Sequence, residues 1–227
     1  MSVRPIVITG EPVLHRAAAL VTQFDDELRT LVEDMYETNV AANGVGLAAP
    51  QVGVGLRVFV WKMANDDGVP EQGHVINPTV TTPRIPRERP NPDEDTEGCL
   101  SVPGEAFPLK RADAAHVVGV DLDGNRVEFD ATGWFARCMQ HEYDHLNGTL
   151  YVDRLDDRQA KKARKAVKRN GWGKPGSSWH PGVDRDPFGH DEHDEHDDHE
   201  HDGHEHDGHA HGHDGDAGDR HADELIG

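Results

Sequence analysis

"NGVGLAAPQ", residues 43–51, is the stretch on which the fold turns. Its run Gly44-Val45-Gly46-Leu47-Ala48-Ala49 meets the glycine spacing of a dinucleotide-binding loop, which would make the chain a doubly wound α/β protein. That reading needs a strand before the loop and a helix after it, so that a pyrophosphate meets free N–H groups at a helix N-terminus. The flanks are the reverse. Upstream, Leu28, Leu31, Val32 and Met35 recur at helical spacing behind the candidate N-caps Asp25 and Asp26. Downstream, Pro50 interrupts any helix in its first turns, and Leu56 to Trp61 reads as a strand. A glycine-rich loop between a helix and a strand exposes backbone rather than cradling phosphate. It ends in Gln51, a neutral side chain that both donates and accepts.

Outward from this loop, His74 to Val80 reads as another short strand, and Pro83 to Thr96 as a Pro- and charge-rich solvated insertion with little to bury. His116 to Leu122 and Arg126 to Asp130 are joined by Asp123-Gly124-Asn125, a hairpin signal between alternating apolar residues. A helix from Gly133 to Leu146 follows and ends at Asn147-Gly148, a pair suited to the left-handed backbone at a helix C-terminus. Leu150 to Val152 reads as a strand leading to a basic segment. The expectation is an α+β fold: short antiparallel strands and hairpins packed around the Gly133 helix, with a C-terminal helix. The folded domain is placed at 1–170, a linker at 171–188 and a disordered tail at 189–227.

Composition agrees with one domain and a tail. The 227 residues carry a formal charge of −20. Residues 176–227 hold 17 Asp and Glu against 2 Lys and Arg, so −15 of that charge belongs to the end of the chain. Two cysteines, no signal-peptide pattern and no apolar run long enough to span a bilayer point to a cytoplasmic, reducing location, with thiols free for metal or catalysis.

The Gly133 helix carries the chemistry. Gln140-His141-Glu142-Tyr143-Asp144-His145 contains His-Glu-x-x-His, in which two histidines at i and i+4 share a helical face and can share one metal. For such a pattern alone, coincidence on a solvated helix is a serious rival. Here Trp134, Phe135, Cys138 and Met139 make the helix mostly apolar, so the polar trio would be costly without a task. A third ligand separates the enzyme classes. Tyr151 stands where one peptidase class has a histidine, and no glutamate follows His145 until Glu192. The best remaining candidate is Cys99, in Glu97-Gly98-Cys99-Leu100-Ser101, although a small buried hydrophobe is the commoner fate of an intracellular cysteine.

Taken in order, "GVGLAAPQ", "EGCLS" and "QHEYDH" resemble peptide deformylase, over about residues 3–170. The resemblance implies a metal-dependent hydrolase that removes the formyl group from the formyl-methionine of nascent polypeptides. By matching position it implies Cys99, His141 and His145 as metal ligands and Glu142 as the catalytic acid and base. It also implies Gln51 and the Leu100 backbone N–H as oxyanion donors, with the loop at Val45 and Gly46 binding the peptide as an added strand. The methionine side chain would lie near Val45, Trp134 and Cys138. Arg137 stands where the family has an apolar residue, and the insertion 83–96 is a second departure, away from the three motifs. Ligand chemistry alone favours zinc. The family implies ferrous iron, with nickel or cobalt also accommodated.

Two C-terminal features complete the reading. Arg158 to Arg169 holds seven basic residues among twelve. It is a solvated helix or, as in some members of the family, a contact for ribosomal RNA through phosphate attraction without sequence readout. Ten histidines lie between His190 and His213, interleaved with Asp and Glu, a composition suited to weak binding of several divalent ions. The rival readings are a metallopeptidase and a metal-storage or delivery protein.

Overall fold

The computed structural model describes residues 2–64 and 70–189. The strands are β1 Ile6–Val7, β2 Gly46–Ala48, β3 Val58–Ala64, β4 Pro70–Thr81, β5 Thr96–Glu97, β6 Phe107–Pro108, β7 Ala114–Val120, β8 Arg126–Thr132 and β9 Ser178–Trp179. The helices are α1 Asp26–Ala41, α2 Gly133–Leu146 and α3 Asp157–Arg169. This is the expected α+β arrangement. An antiparallel sheet of order β2-β3-β4-β7-β8 forms the body, and β1 with β9 and β5 with β6 form two small ribbons. β2 is an edge strand, paired on one side through Gly46 to Trp61 and Ala48 to Phe59.

Strand β3 is buried on both faces over Val58 to Trp61, where every residue is apolar. Val58 and Val60 of β3 enter the core formed with Leu28, Leu31, Val32 and Met35 of α1. Phe59 and Trp61, on the opposite face, pack with Ala136, Met139 and Leu146 of α2. The alternation follows from side chains pointing to opposite faces along a strand. α1 starts where Asp25 accepts from the Leu28 N–H at 3.0 Å. It ends at Asn43, whose φ of 53° is the left-handed exit that asparagine tolerates. α2 ends as the sequence predicts, with Gly148 at φ 71°.

Four expectations need correction. The loop before Gln51 contains the short strand β2, formed by pairing with β3 despite the weak strand preference of glycine and alanine. Leu150 to Val152 is not a strand. Tyr151–Asp153 form a 3₁₀ turn, closed by the Asp153 carboxylate accepting from the Leu150 N–H at 2.9 Å. Residues 171–188 are not a linker: β9 pairs with β1, and Trp179 and Phe188 join the core of α1. Apolar surface is removed from water by those two rings, which a solvated linker would leave exposed. Residues 81–94 are exposed or half-exposed as expected, but the insertion does not stay away from the motifs. Its end at Asp95 is buried and bonded to Arg137 of α2. The expectation of a disordered tail at 189–227 falls, from His190 onward, outside the described residues.

α3 rests on a third cluster through Ala163 and Ala166, with Trp172 beside them. Each alanine methyl supplies only about 0.8 kcal/mol. All seven of the helix's basic residues are exposed, so its composition answers to the solvent face.

Candidate active site

Almost all of α2 from Ala136 to Leu146 is buried, including Arg137, Gln140, His141, Glu142, Asp144 and His145. Each buried polar group therefore needs a partner. Gln140 grips the backbone of Ala112, accepting from its N–H at 3.1 Å and donating to its carbonyl at 2.8 Å. Arg137 donates to Asp95 Oδ1, Glu97 Oε2 and the Leu109 carbonyl. Asp144 accepts from Arg111 and Arg154. His141 Nδ1 lies 3.0 Å from Glu97 Oε1, which turns the ring so that Nε2 faces away from that bond. After this accounting, His141 Nε2, His145 Nδ1 and both Glu142 oxygens remain without a hydrogen-bond partner.

Of these, His141 Nε2 belongs to the cluster the sequence singled out, whereas His145 turns Nε2 rather than Nδ1 toward Cys99. Ligand atoms of Cys99, His141 and His145 all fall within 4.8 Å of one another, and all three residues are buried. Cys99 Sγ is 3.3 Å from His145 Nε2. A thiolate and two imidazoles at this separation suit one tetrahedral ion with a position left open. An unpartnered imidazole nitrogen in a dry site is the further sign that an ion belongs there. Among the described residues no other group of this kind is found.

The electrostatics fit that use. Burial, with His141 second, holds the His145 pKa well below its ordinary value, so the ring is neutral and its lone pair is available. Burial raises the Cys99 thiol, as does the charge of Glu142, against the Ser101 N–H that favours the thiolate; a cation among the three donors reverses the balance. Burial also lifts Glu142 well above the usual carboxylate range, only partly opposed by Arg111, which raises its affinity for a proton. Glu97 behaves oppositely. Burial disfavours its charge too, but the Arg111 guanidinium at 2.7 Å outweighs that and keeps it ionised.

Gln51 is fully buried in the 3₁₀ turn Ala49–Val52. Its Oε1 accepts from the Ala48 N–H at 2.7 Å, leaving Nε2 as the group aimed at the site, 3.8 Å from Cys99 Sγ. Gly46 of β2 lies directly against the helix. A Cβ there would sit 2.6 Å from Glu142 Oε1 and 2.8 Å from Cys138 Sγ. Val45 and Cys138 are buried together, while Trp134 is 41% exposed and stacks over the Arg137 guanidinium. Of the expected substrate residues, the structure thus brings Val45, Gly46 and Cys138 together and leaves Trp134 at the rim.

Arg137 is not a departure in a pocket wall. It turns away into the ion-pair network with Asp95 and Glu97, a site built from chain segments that sequence does not juxtapose. Glu97 and Arg111, which orient His141, carried no assigned role in the sequence. The available signal was an acidic residue, Glu97, two positions before the candidate ligand Cys99. Tyr151, in place of a third histidine, stacks on the His141 ring at 5.9 Å between centroids.

With this geometry in place, similarity to known proteins is informative. The sequence model of the polypeptide deformylase family matches residues 3–161. A peptide deformylase of Rhodococcus opacus is 53% identical over 196 residues, covering 85% of this chain and all of that protein. One of Mycolicibacterium paratuberculosis is 54% identical over 197 residues, covering 84% of this chain and all of that protein. Among solved structures, a Legionella pneumophila peptide deformylase is 37% identical with a TM-score of 0.64, over 75% of this chain and 96% of that one. The Ehrlichia chaffeensis peptide deformylase in complex with actinonin is 37% identical with a TM-score of 0.63, over 75% and 98%.

Proposed function

This chain belongs to the peptide deformylase family and is a metal-dependent hydrolase that removes N-terminal formyl groups, and we propose that Cys99, His141 and His145 hold its ion while Glu142 moves the proton. The observation that carries this reading is the set of unpartnered buried atoms, His141 Nε2 and the Glu142 carboxylate, beside a cysteine–histidine cluster. When bound, a divalent ion supplies a Lewis acid that acidifies water and polarises a carbonyl.

The chain's own residues then divide the work. Glu142 accepts the proton of the water that attacks the formyl carbon, and later delivers it to the leaving amine. Formate and a free N-terminus result. Gln51 Nε2 and the Leu100 N–H donate to the oxygen on which negative charge develops, preset donors that need no reorganisation. The one-sided pairing of β2 supports a substrate that adds as a strand at Val45 and Gly46. The methionine side chain is assigned to the apolar surface of Val45 and Cys138, with Trp134 at its mouth.

Four finer points belong to the same proposal. Ferrous iron is the native ion, with zinc, nickel or cobalt accepted by the same donors. The substrates are formyl-methionyl nascent peptides, met in the cytoplasm; no helix among the described residues is long and apolar enough to cross a membrane. The exposed basic face of α3 contacts ribosomal RNA by phosphate attraction, so binding falls steeply with salt. The histidines from His190 onward bind divalent ions weakly and supply the site. Removing residues 190–227 is expected to leave metal-replete turnover unchanged but to raise the total metal needed to restore apoenzyme in the presence of a chelator.

Incubating metal-loaded protein with formyl-Met-Ala-Ser and its unformylated twin tests the whole. Formate release without peptide cleavage is the expected result. Internal cleavage would indicate a peptidase, and no reaction a storage protein.

A further inference from the structure

The segment beyond α3 reaches back to the site. Trp179 is buried, and its indole Nε1 donates to the Leu100 carbonyl at 2.9 Å. The peptide unit that bears this carbonyl bears the Ser101 N–H on its other side, and that N–H points at Cys99 Sγ at 3.4 Å. A single planar peptide therefore joins an indole donor to the metal-binding sulfur. Because the peptide is rigid, holding its carbonyl holds its N–H. Because hydrogen bonds in a chain polarise one another, the indole bond also strengthens donation to sulfur.

The adjacent peptide carries the Leu100 N–H. Its carbonyl, from Cys99, accepts from the Val102 N–H at 2.8 Å. The peptides on both sides of Leu100 are thus fixed from their oxygen ends, one by a local turn and one by Trp179. The Ser101 carbonyl is tied in turn, accepting from the Thr9 N–H at 2.8 Å. Trp179 is itself held by strand pairing, Ile6 with Trp179 and Val7 with Ser178, and by the Phe188 ring at 6.0 Å. The Ile8 N–H donates to the Ser177 carbonyl at 3.0 Å, extending that hold by one residue.

We infer that Trp179 is a positioning residue of the hydrolytic site: its indole N–H fixes the Leu100–Ser101 peptide, so that the Ser101 N–H stays on the Cys99 sulfur and the Leu100 N–H stays aimed at the reacting oxygen. This rests on the reading of Cys99 as a ligand and of the Leu100 N–H as an oxyanion donor. Trp179 touches neither substrate nor ion and acts through Leu100 alone. Residues 171–188 are, in this account, a strap whose loss reaches the chemistry.

The test compares cobalt-loaded wild type with Trp179→Phe, which keeps a ring in place but removes the donor. Ile6→Val, which thins the same cluster and leaves the indole bond, controls for stability. Cobalt gives a thiolate charge-transfer absorption that reports on the sulfur directly. Weakening the Ser101 N–H bond to sulfur raises the sulfur orbitals, so the Trp179→Phe band moves to longer wavelength. Turnover falls roughly 10-fold, the lower end for an outer partner of a metal site, with KM little changed. Ile6→Val shows neither effect. If Trp179→Phe does not fold, an isosteric tryptophan analogue with sulfur in place of the indole N–H removes the donor at constant shape. A band and a turnover equal to those of Ile6→Val would overturn the inference while leaving Cys99 a ligand. Absence of a thiolate band in wild type would overturn both.

Discussion

Gly46→Ala tests how closely β2 is held against Glu142, the proposed proton carrier. The added Cβ would lie 2.6 Å from Glu142 Oε1 and 2.8 Å from Cys138 Sγ, where ordinary contact begins at 3.4 Å. The carboxylate must retreat by roughly 0.8 Å, or β2 must move outward by as much. Neither is easy, because Glu142 and Cys138 are both fully buried. Overpacking of this kind costs about 1–3 kcal/mol, a fall in Tm of roughly 2–12 °C for a domain of this size. The catalytic effect is larger, since a misplacement approaching 1 Å costs on the order of 10²-fold. None of the three atoms nearest the added Cβ belongs to a proposed ligand, so one ion per chain is retained. Formate release from formyl-Met-Ala-Ser gives kcat/KM, elemental analysis gives the metal, and calorimetry gives Tm. A variant with full metal and kcat/KM within about two-fold of wild type would refute the close packing of strand on carboxylate.

Gln51→Ala is expected to lower kcat roughly 10²-fold with little change in KM, because it removes the proposed donor to the developing charge; an equal rise in KM at unchanged kcat would mean that Gln51 only binds substrate. Arg137→Met leaves Asp95 and Glu97 short of a buried partner. It should cost about 3–5 kcal/mol, and an unchanged Tm would show the network to be dispensable. Asp34 gives a pH test: burial opposes its charge, but the Ser2 N–H and Arg4 outweigh this and lower its pKa. A lowered folded pKa contributes stability that is full above the unfolded carboxylate value, about 3.9, and is lost as pH falls through the folded one. The Tm advantage of wild type over Asp34→Asn should therefore close below about pH 4, and a constant advantage there would exclude the linkage.

Sequence reading succeeded where the deciding interactions are local. The Asp25 cap, the whole of α2 with its Asn147-Gly148 end, and the hairpin turn at Asp123-Gly124-Asn125 all follow from residues within a few positions of one another. The cluster of Cys99, His141 and His145 was legible because two of its members share a helical face. What failed depends on distant partners. Residues 171–188 are rich in Gly, Pro and Ser and read as a linker, with Trp172, Trp179 and Phe188 the only hints of burial. Their hold comes from β1, more than 160 positions away. Arg137 looked out of place on an apolar helix because Asp95, Glu97 and the Leu109 carbonyl are invisible from its neighbours. β4 is longer than its apolar pattern because Pro70 to Gly73 pair with Trp61 to Ala64 of β3, and a bulge interrupts its pairing with β7 between Ile76 and Thr79. Asn77, at φ 52° within that bulge, turns its side chain to bond both backbone groups of Val21.

The central claim is that Glu142 moves the proton beside an ion held by Cys99, His141 and His145. Glu142→Gln tests it directly, because the amide keeps the shape and all three proposed ligands while losing the basic oxygen. Metal content and turnover are measured on the same sample. The account predicts one ion per chain and a loss in kcat on the order of 10²-fold or more, whereas full turnover at full metal occupancy would contradict it.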